Sequence, residues 1–234
     1  MRHVGCAQVP KIVMDVTLIK KKYRRNARFY DVLLGRATRR LREKAIAMLA
    51  LRPGEVILDF GCGTGLSFEL LERAIGSSGH IIGVDLSPEM LARAREKAAR
   101  NGWMNVTLIE ASAEEVELQP ESVDAMLCFC THDIMYSRRA LEEAVKALRP
   151  GGRSVAAGVK RASELPGRLL NLVTLASSRP FITHVSDASR PWTHLETLLG
   201  SVDVEEHQLG RAYLARGVKP KRWRIRSDPG QVCS

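Results

Sequence analysis

The chain has 234 residues, 45% hydrophobic and 26% charged, with a formal net charge of +10. That length can bury a full core for one α/β domain, and no apolar run approaches the roughly 20 residues of a membrane span. Five cysteines without a C-x-x-C and six histidines without an H-x-x-x-H argue against a disulfide framework and against a metal site. Met1 to Pro10 lacks the apolar core of a secretory signal, so a cytoplasmic chain is expected.

The charge is unevenly spread. Residues 1–52 carry fourteen Lys or Arg and three acids, and residues 211–226 carry seven basic residues and no acid. The segment between them is mildly acidic. Such asymmetry points to a polyanionic partner.

The first 52 residues read as a basic helical extension, a lid or cap. Val16 to Leu34 interleaves Lys20, Lys21, Lys22, Arg24, Arg25 and Arg28 with Leu18, Ile19, Tyr23, Phe29 and Tyr30. Gly35 is expected to break this helix. A second helix follows over Arg36 to Leu51, with Leu41, Ala45, Met48 and Leu49 on one stripe, and Pro53-Gly54 ends it. The basic face either is simply solvated or lies on anionic lipid, where each cation contributes roughly 1 kcal/mol. In the second case the chain sits peripherally at the inner face of a membrane.

Val56-Ile57-Leu58-Asp59-Phe60 is an apolar run ending near an acid, as in a parallel strand buried on both faces. Gly61-Cys62-Gly63-Thr64-Gly65 then places glycine at every second position, and a helix follows. Glycines let a backbone turn sharply and approach a ligand closely. A dinucleotide fingerprint G-x-G-x-x-G needs a third glycine at position 66, where this chain has Leu66. His80 to Asp85 is a second strand ending in an acid, twenty residues beyond Gly65. Carboxylates at about that spacing receive ribose hydroxyls in nucleotide-binding βαβ units. The alternative role for Asp85 is a helix cap, but Ser87-Pro88 supplies its own capping signature. Pro88 to Arg100 has helical spacing, with Met90, Leu91, Ala94 and Ala98 on one face.

Asn105 to Glu110 is a third strand, followed by Ala111-Ser112-Ala113-Glu114, and Val123 to Cys130 is a fourth. Cys128 and Cys130, two apart on a strand, are expected on one face as buried thiols. After a turn at Leu148 to Arg153, Ser154 to Val159 is the fifth strand. Ser163 to Ser178 is an apolar segment, Trp192 to Leu199 a short helix stopped by Gly200, and Val202 to His207 and Leu209 to Ala215 a closing strand pair. Residues 53–218 read as one catalytic domain. Residues 219–234 read as a basic tail, either a disordered solubilising end or a phosphate or lipid contact through Lys219 to Arg226 and Trp223.

The pattern D-x-G-x-G-x-G at Asp59 to Gly65, together with Asp85 and the later elements, resembles the class I S-adenosylmethionine (SAM) methyltransferases over about residues 55 to 160. The resemblance implies a Rossmann-like three-layer α/β sandwich around a seven-stranded, mostly parallel sheet. Its implied order is 3-2-1-4-5-7-6, with the last strand antiparallel. It implies SAM as co-substrate, with Gly61, Cys62, Gly63 and Gly65 against the methionine portion and Asp59 near the ammonium. Asp85, with Leu86 and Met90 beside it, holds the ribose, and Ser112 and Ala113 edge the adenine. The family usually carries Asp where this chain has Ser112, and a hydroxyl bonds the adenine amino group more weakly. Cys130 and Thr131 border the sulfonium, Tyr30 closes over the ligand or packs, and His132 and Asp133 stand where a catalytic base can reach the acceptor.

The second half resembles the quinone-type C-methyltransferases of ubiquinone and menaquinone synthesis and, over the same elements, a bacterial phospholipid N-methyltransferase. Both imply a small lipophilic acceptor at a membrane. Methylation of RNA or protein stays open as an alternative, although Cys130-Thr131-His132-Asp133 stands where the RNA enzymes often show Asn-Pro-Pro-Tyr. A SAM-binding partner protein without catalysis is the other alternative. Carbon, oxygen and nitrogen acceptors share this scaffold.

Overall fold

The computed structural model describes residues 27–160 and 190–223, excepting the side chains of residues 27–34 and 36. The basic run from Lys20 to Arg25, the apolar segment 163–178 and the chain after Trp223 lie outside the described residues.

The core is a seven-stranded sheet. Its strands are β1 (Val56–Phe60), β2 (His80–Asp85), β3 (Val106–Glu110), β4 (Val123–Phe129), β5 (Leu148–Val159), β6 (Asp203–His207) and β7 (Ala212–Val218). Their spatial order is β3-β2-β1-β4-β5-β7-β6. The first five neighbours pair in parallel, and β7 runs antiparallel to both β5 and β6. The order read from the sequence is therefore the order observed.

Among the described residues six helices accompany the sheet: α1 (Ala27–Met48), α2 (Phe68–Ile75), α3 (Pro88–Arg100), α4 (His132–Met135), α5 (Arg138–Ala147) and α6 (Thr193–Leu199). Alternate strand residues feed two cores, as a pleated strand buried on both faces must. Ile57, Leu127 and Leu214 point into one, packed on Ala45 and Leu49 of α1, Phe68 and Leu71 of α2 and Leu91 of α3. Leu58, Met126 and Tyr213 point into the other, packed on Leu141 and Val145 of α5 and Leu195 of α6.

Three local readings change. First, α1 is one 22-residue helix that runs straight through Gly35. An interior glycine costs a helix about 1 kcal/mol, and packing of the helix on the sheet outweighs that. Gly35 faces the glycine turn, where an added Cβ would stand 3.5 Å from Leu66 Cδ2. The helix ends at Met48, ahead of Leu51, because Ala50 turns left-handed at φ 47°. Second, β7 begins at Ala212, not Leu209, because Gln208, Leu209 and Gly210 are all left-handed and form the hairpin turn from β6.

Third, the first residues of the expected tail pack on the body. Lys219 is 3% exposed, and its Nζ donates to the carbonyls of Lys146 and Leu148 at the end of α5. Trp223 Nε1 donates to the carbonyl of Leu198 at the end of α6. Lysine and indole N–H groups thus satisfy carbonyls that helix ends leave without partners.

Candidate active site

A cleft of about 870 Å³ opens at the carboxyl ends of β1, β2 and β4, where open α/β sheets bind ligands. The glycine turn forms its floor. Gly61, Gly63 and Gly65 take φ values of 83°, 54° and 70°, a region that favours residues without a Cβ. A Cβ at Gly61 would also collide with Thr131 Cγ2. The absence of that one carbon lets the turn after β1 and the turn after β4 meet. Gly61 and Cys62 donate their N–H groups to Val84 O at 2.8 and 3.0 Å, tying the turn to β2.

Asp85 stands at the end of β2, with both oxygens engaged. Oδ2 accepts from Gly63 N–H at 2.8 Å and Oδ1 from Ser87 N–H at 2.9 Å. Burial raises its pKa, and the bonds from Ser87, Gly63 and Leu86 oppose that rise. Helix α3 has its own cap, since Ser87 Oγ accepts from Met90 N–H at 3.3 Å. Asp85 is therefore free of capping duty and faces the cleft beside Leu86, Met90, Ser112 and Ala113. The opposite wall is the segment after β4, from Cys130 through Thr131, His132 and Asp133. His132 begins α4, and its ring lies 4.6 Å from that of Tyr136.

A recess of about 420 Å³ continues the cleft toward α1 and shares Gly61, Gly63, Phe129 and Cys130 with it. Asp59, Cys62 and Leu66 line it, and so do Thr38 and Arg42 of α1. Asp59 is 2% exposed, and among the described residues its Oδ2 has no hydrogen-bond partner. Burial pushes its pKa up to about 7, with the nearby Arg42 charge lowering it and Asp85 raising it. The Arg42 guanidinium, on a residue 6% exposed, lies 4.4 Å from the centre of the Phe129 ring. The recess thus holds a buried acid beside a buried guanidinium, which suits a ligand bearing both an ammonium and a carboxylate.

Arg42 was missed in the sequence, which offered one signal. It shares its face of α1 with Ala45, Ile46 and Leu49, all buried, at the i, i+3, i+4 and i+7 spacing of a core stripe. A cation on such a stripe needs a partner. The remaining sequence candidates fall where they can act together, with two exceptions. Gly65 lines neither space and instead shapes the turn, where a Cβ would stand 2.6 Å from the Phe68 ring. Tyr30 lies in α1 with its side chain outside the described residues.

The cysteine pair departs from expectation. Strand β4 ends at Phe129, and Cys130 takes φ 58° while its N–H donates to Ala157 O at 2.7 Å. This left-handed step breaks the alternation of the strand. Cys128 sits in the core on the α5–α6 side, and Cys130 packs toward the α1–α3 side. Burial pushes the Cys128 thiol up to about 12 and the Cys130 thiol up to about 11, so neither is a reactive thiolate at neutral pH. Among the described residues no group of three or more His, Cys, Asp or Glu is placed to hold a metal. No described helix is long and apolar enough to cross a membrane.

A methyltransferase domain family matches residues 57–152. The ubiquinone/menaquinone biosynthesis C-methyltransferase of Vibrio parahaemolyticus is 32% identical over 224 residues, covering 93% of this chain and 79% of that protein. The arsenite methyltransferase of Halobacterium salinarum is 34% identical over 121 residues, but the chain spans only 31% of its length. Among solved structures, a SAM-dependent methyltransferase from Aquifex aeolicus aligns with TM-score 0.58 at 20% identity, covering 76% of this chain and 88% of that one. A phosphoethanolamine N-methyltransferase from Haemonchus contortus, solved with S-adenosylhomocysteine, aligns with TM-score 0.64 at 16% identity, covering 91% and 61%. Sheet order, glycine turn and full-length similarity converge: this chain belongs to the class I SAM-dependent methyltransferases, in the group of the ubiquinone/menaquinone C-methyltransferases, and uses SAM as its co-substrate.

Proposed function

We propose that the enzyme methylates a small lipophilic acceptor of the quinone-precursor kind, and that SAM lies along the cleft and its recess. The observation that carries the cofactor placement is the buried pair of Asp59 and Arg42 at one end and the backbone-held Asp85 at the other. Asp59 and Arg42 receive the ammonium and carboxylate of the methionine portion, and the turn from Gly61 to Gly65 passes beneath it. Asp85 accepts from the ribose hydroxyls, with Leu86 and Met90 alongside. Ser112 and Ala113 edge the adenine.

This placement brings the sulfonium to Cys130 and Thr131, the residues between the two spaces. The methyl group is already activated, so alignment of the acceptor in line with the sulfur does most of the work. Orientation alone contributes up to ~7–11 kcal/mol in model reactions. His132, with Asp133 beside it, faces the same space and takes the acceptor's proton.

Helix α1 passes the glycine turn at Gly35 and ends near Ala50, whose carbonyl accepts from Arg153 of β5. Its N-terminal end therefore stands at the carboxyl edge of the sheet, over the cleft. Lys219 pairs with Gly152 and Gly151 at the other edge. The reading in which residues 1–52 act as a lid touching anionic lipid is consistent with delivery of a lipophilic acceptor to the cleft.

The test is a label partition. Purified enzyme, methyl-labelled SAM and host extract are incubated, and the products are separated into organic-soluble, aqueous and macromolecular fractions. Label in the organic phase is the expected result. Label in RNA or protein overturns this acceptor class, and SAM binding without any labelled product returns the chain to a non-catalytic SAM-binding role.

A further inference from the structure

The two walls of the cleft come from different strands, and a side-chain hydrogen bond just outside its lining joins them. One wall is the turn after β3, where Ser112 and Ala113 face the cleft. The other is the segment after β4, where His132, Asp133 and Ile134 face it. Glu114, next to Ala113, reaches from the first to the second. Its Oε1 accepts from Ser137 Oγ–H at 2.7 Å, and both residues are half-buried. On its own wall Glu114 is held by the backbone. Its N–H donates to Ser112 Oγ at 3.3 Å. Ser112 O accepts from Glu115 N–H at 3.0 Å and Val116 N–H at 2.9 Å, and Ala111 N–H donates to Asp85 O at 3.2 Å. Val116 is buried in the core. The turn is thus fixed at both ends and carries the Glu114 carboxylate with it.

The opposite wall depends on that carboxylate. Helix α4, which begins at His132, has four residues, and Thr131 ahead of it makes no side-chain cap. A helix this short has no stability of its own. Met135 anchors it in the core, but apolar burial is non-directional. It fixes the depth of the turn and leaves its tilt open. A hydrogen bond is directional, and Ser137 supplies one at the right place. Ser137 N–H donates to Ile134 O at 3.0 Å, and Ser137 Oγ caps α5 by accepting from Ala140 N–H at 3.1 Å. The remaining hydroxyl proton goes to Glu114. One residue therefore closes α4, opens α5 and meets the other wall. Helix α5 has no acid in its first turn and opens on Arg138 and Arg139, which oppose its dipole. Glu114 brings the missing negative charge from a different strand.

We propose that Glu114 is a positioning residue for methyl transfer. Its bond to Ser137 sets the tilt and spacing of the wall that carries His132 against the wall that edges the adenine. The inference rests on the reading that SAM lies in this cleft with His132 at the acceptor's proton. Glu114 does not line the cleft, so its effect is on alignment, where a displacement of about 1 Å costs on the order of 100-fold in rate. The turn after β3 keeps its backbone bonds without the Glu114 side chain. Loss of the bond to Ser137 therefore lowers turnover and spares cofactor affinity.

The test uses the full chain and three readouts. Affinity is measured with S-adenosylhomocysteine, and rate as label transfer from saturating methyl-labelled SAM into host extract. The position of the wall is read from the NMR signal of the His132 ring, identified by its absence in His132→Gln. Ser137→Asp keeps a side-chain acceptor to cap α5 but has no hydroxyl to donate and repels Glu114. It should lower the rate about 10-fold or more, the value of one charge-assisted hydrogen bond. It should also move the His132 signal and leave S-adenosylhomocysteine affinity unchanged. Glu114→Ala should do the same, and Glu114→Gln, which keeps an acceptor oxygen, should restore most of the rate. If Glu114→Ala does not fold, Ser137→Asp and Glu114→Gln decide the question. An unchanged rate or an unmoved His132 signal in folded Ser137→Asp overturns the proposal, and so does a Glu114→Gln variant as slow as Ser137→Asp. If Asp85→Ala weakens S-adenosylhomocysteine binding in those cases, only the assignment of Glu114 falls. If Asp85→Ala binds it as the parent does, the placement of the cofactor falls as well.

Discussion

Asp59 and Asp85 stand near the carboxyl ends of neighbouring strands, Asp59 buried and Asp85 half-buried, and their surroundings differ. Asp85 has both oxygens held by backbone N–H groups. Asp59 has an oxygen without a partner among the described residues and a pKa pushed up to about 7. The first carboxylate is preorganised and needs a ligand only to add hydroxyl donors. The second carries a desolvation cost in the empty protein, which a cationic ligand group relieves. On the proposed placement of the cofactor, the same amino acid serves as a rigid acceptor at one end and as a ligand-dependent charge at the other.

Four changes break or sharpen this comparison, in falling order of effect. Asp85→Ala removes the proposed ribose acceptor and releases Gly63. With charge-assisted hydrogen bonds at about 1.5–3 kcal/mol each, S-adenosylhomocysteine affinity measured by calorimetry should drop about 100-fold or more. Unchanged affinity in a folded variant removes the ribose assignment. Arg42→Met keeps an unbranched apolar stem but loses the guanidinium proposed as the carboxylate's partner. One such bond sets an expected loss of about 10–100-fold, and a decarboxylated SAM analogue should bind the variant and the parent alike. If the variant discriminates between the two ligands as the parent does, Arg42 does not touch the carboxylate.

Asp59→Asn tests the ligand-dependent charge through pH. Between the ordinary value of 3.8 and about 7 the folded chain keeps a proton that the unfolded chain has released. Stability of the empty enzyme should therefore fall as pH rises through that window, and the Asn variant should lose the slope. Cofactor affinity runs the other way, rising toward pH ~7 as Asp59 ionises, and in the variant it should be flat and about 10-fold weaker at neutral pH. A pH-independent affinity in the parent contradicts the pairing of Asp59 with an ammonium. The smallest effect belongs to Lys44, which joins α1 to Glu205 of β6 at 2.6 Å with both side chains about half exposed. Lys44→Gln should change thermal stability by less than ~1 kcal/mol and leave cofactor affinity intact. A larger loss of affinity means that this surface pair positions Arg42.

The legible parts of the molecule are those whose physics is local. The glycine turn, the acid ending β2 and the Ser87 cap each depend on residues within a few positions of one another, so spacing alone exposes them. The parallel strands are legible for a related reason, since burial on both faces writes a continuous apolar run. Where neighbours in space are distant in sequence, the readings go astray. Gly35 looks like a helix stop, but the sheet beneath α1 stabilises the helix through it. Cys128 and Cys130 look like one face, but the hydrogen bond from Cys130 to Ala157 turns the chain left-handed. Lys219 and Trp223 look like a tail, but the carbonyls at the ends of α5 and α6 hold them.

The sequence by itself determined the fold class, the strand order by resemblance and the motif that forms the cleft floor, because alternation, glycine spacing and caps are short-range constraints. Only the tertiary structure decided that α1 delivers Arg42, seventeen residues ahead of Asp59 in the chain, beside that acid. It alone decided that Asp85 is tied by the turn it faces. Those are encounters between elements, set by the register of parallel strands and the packing of two helical layers, and no local pattern encodes a partner that lies across the fold.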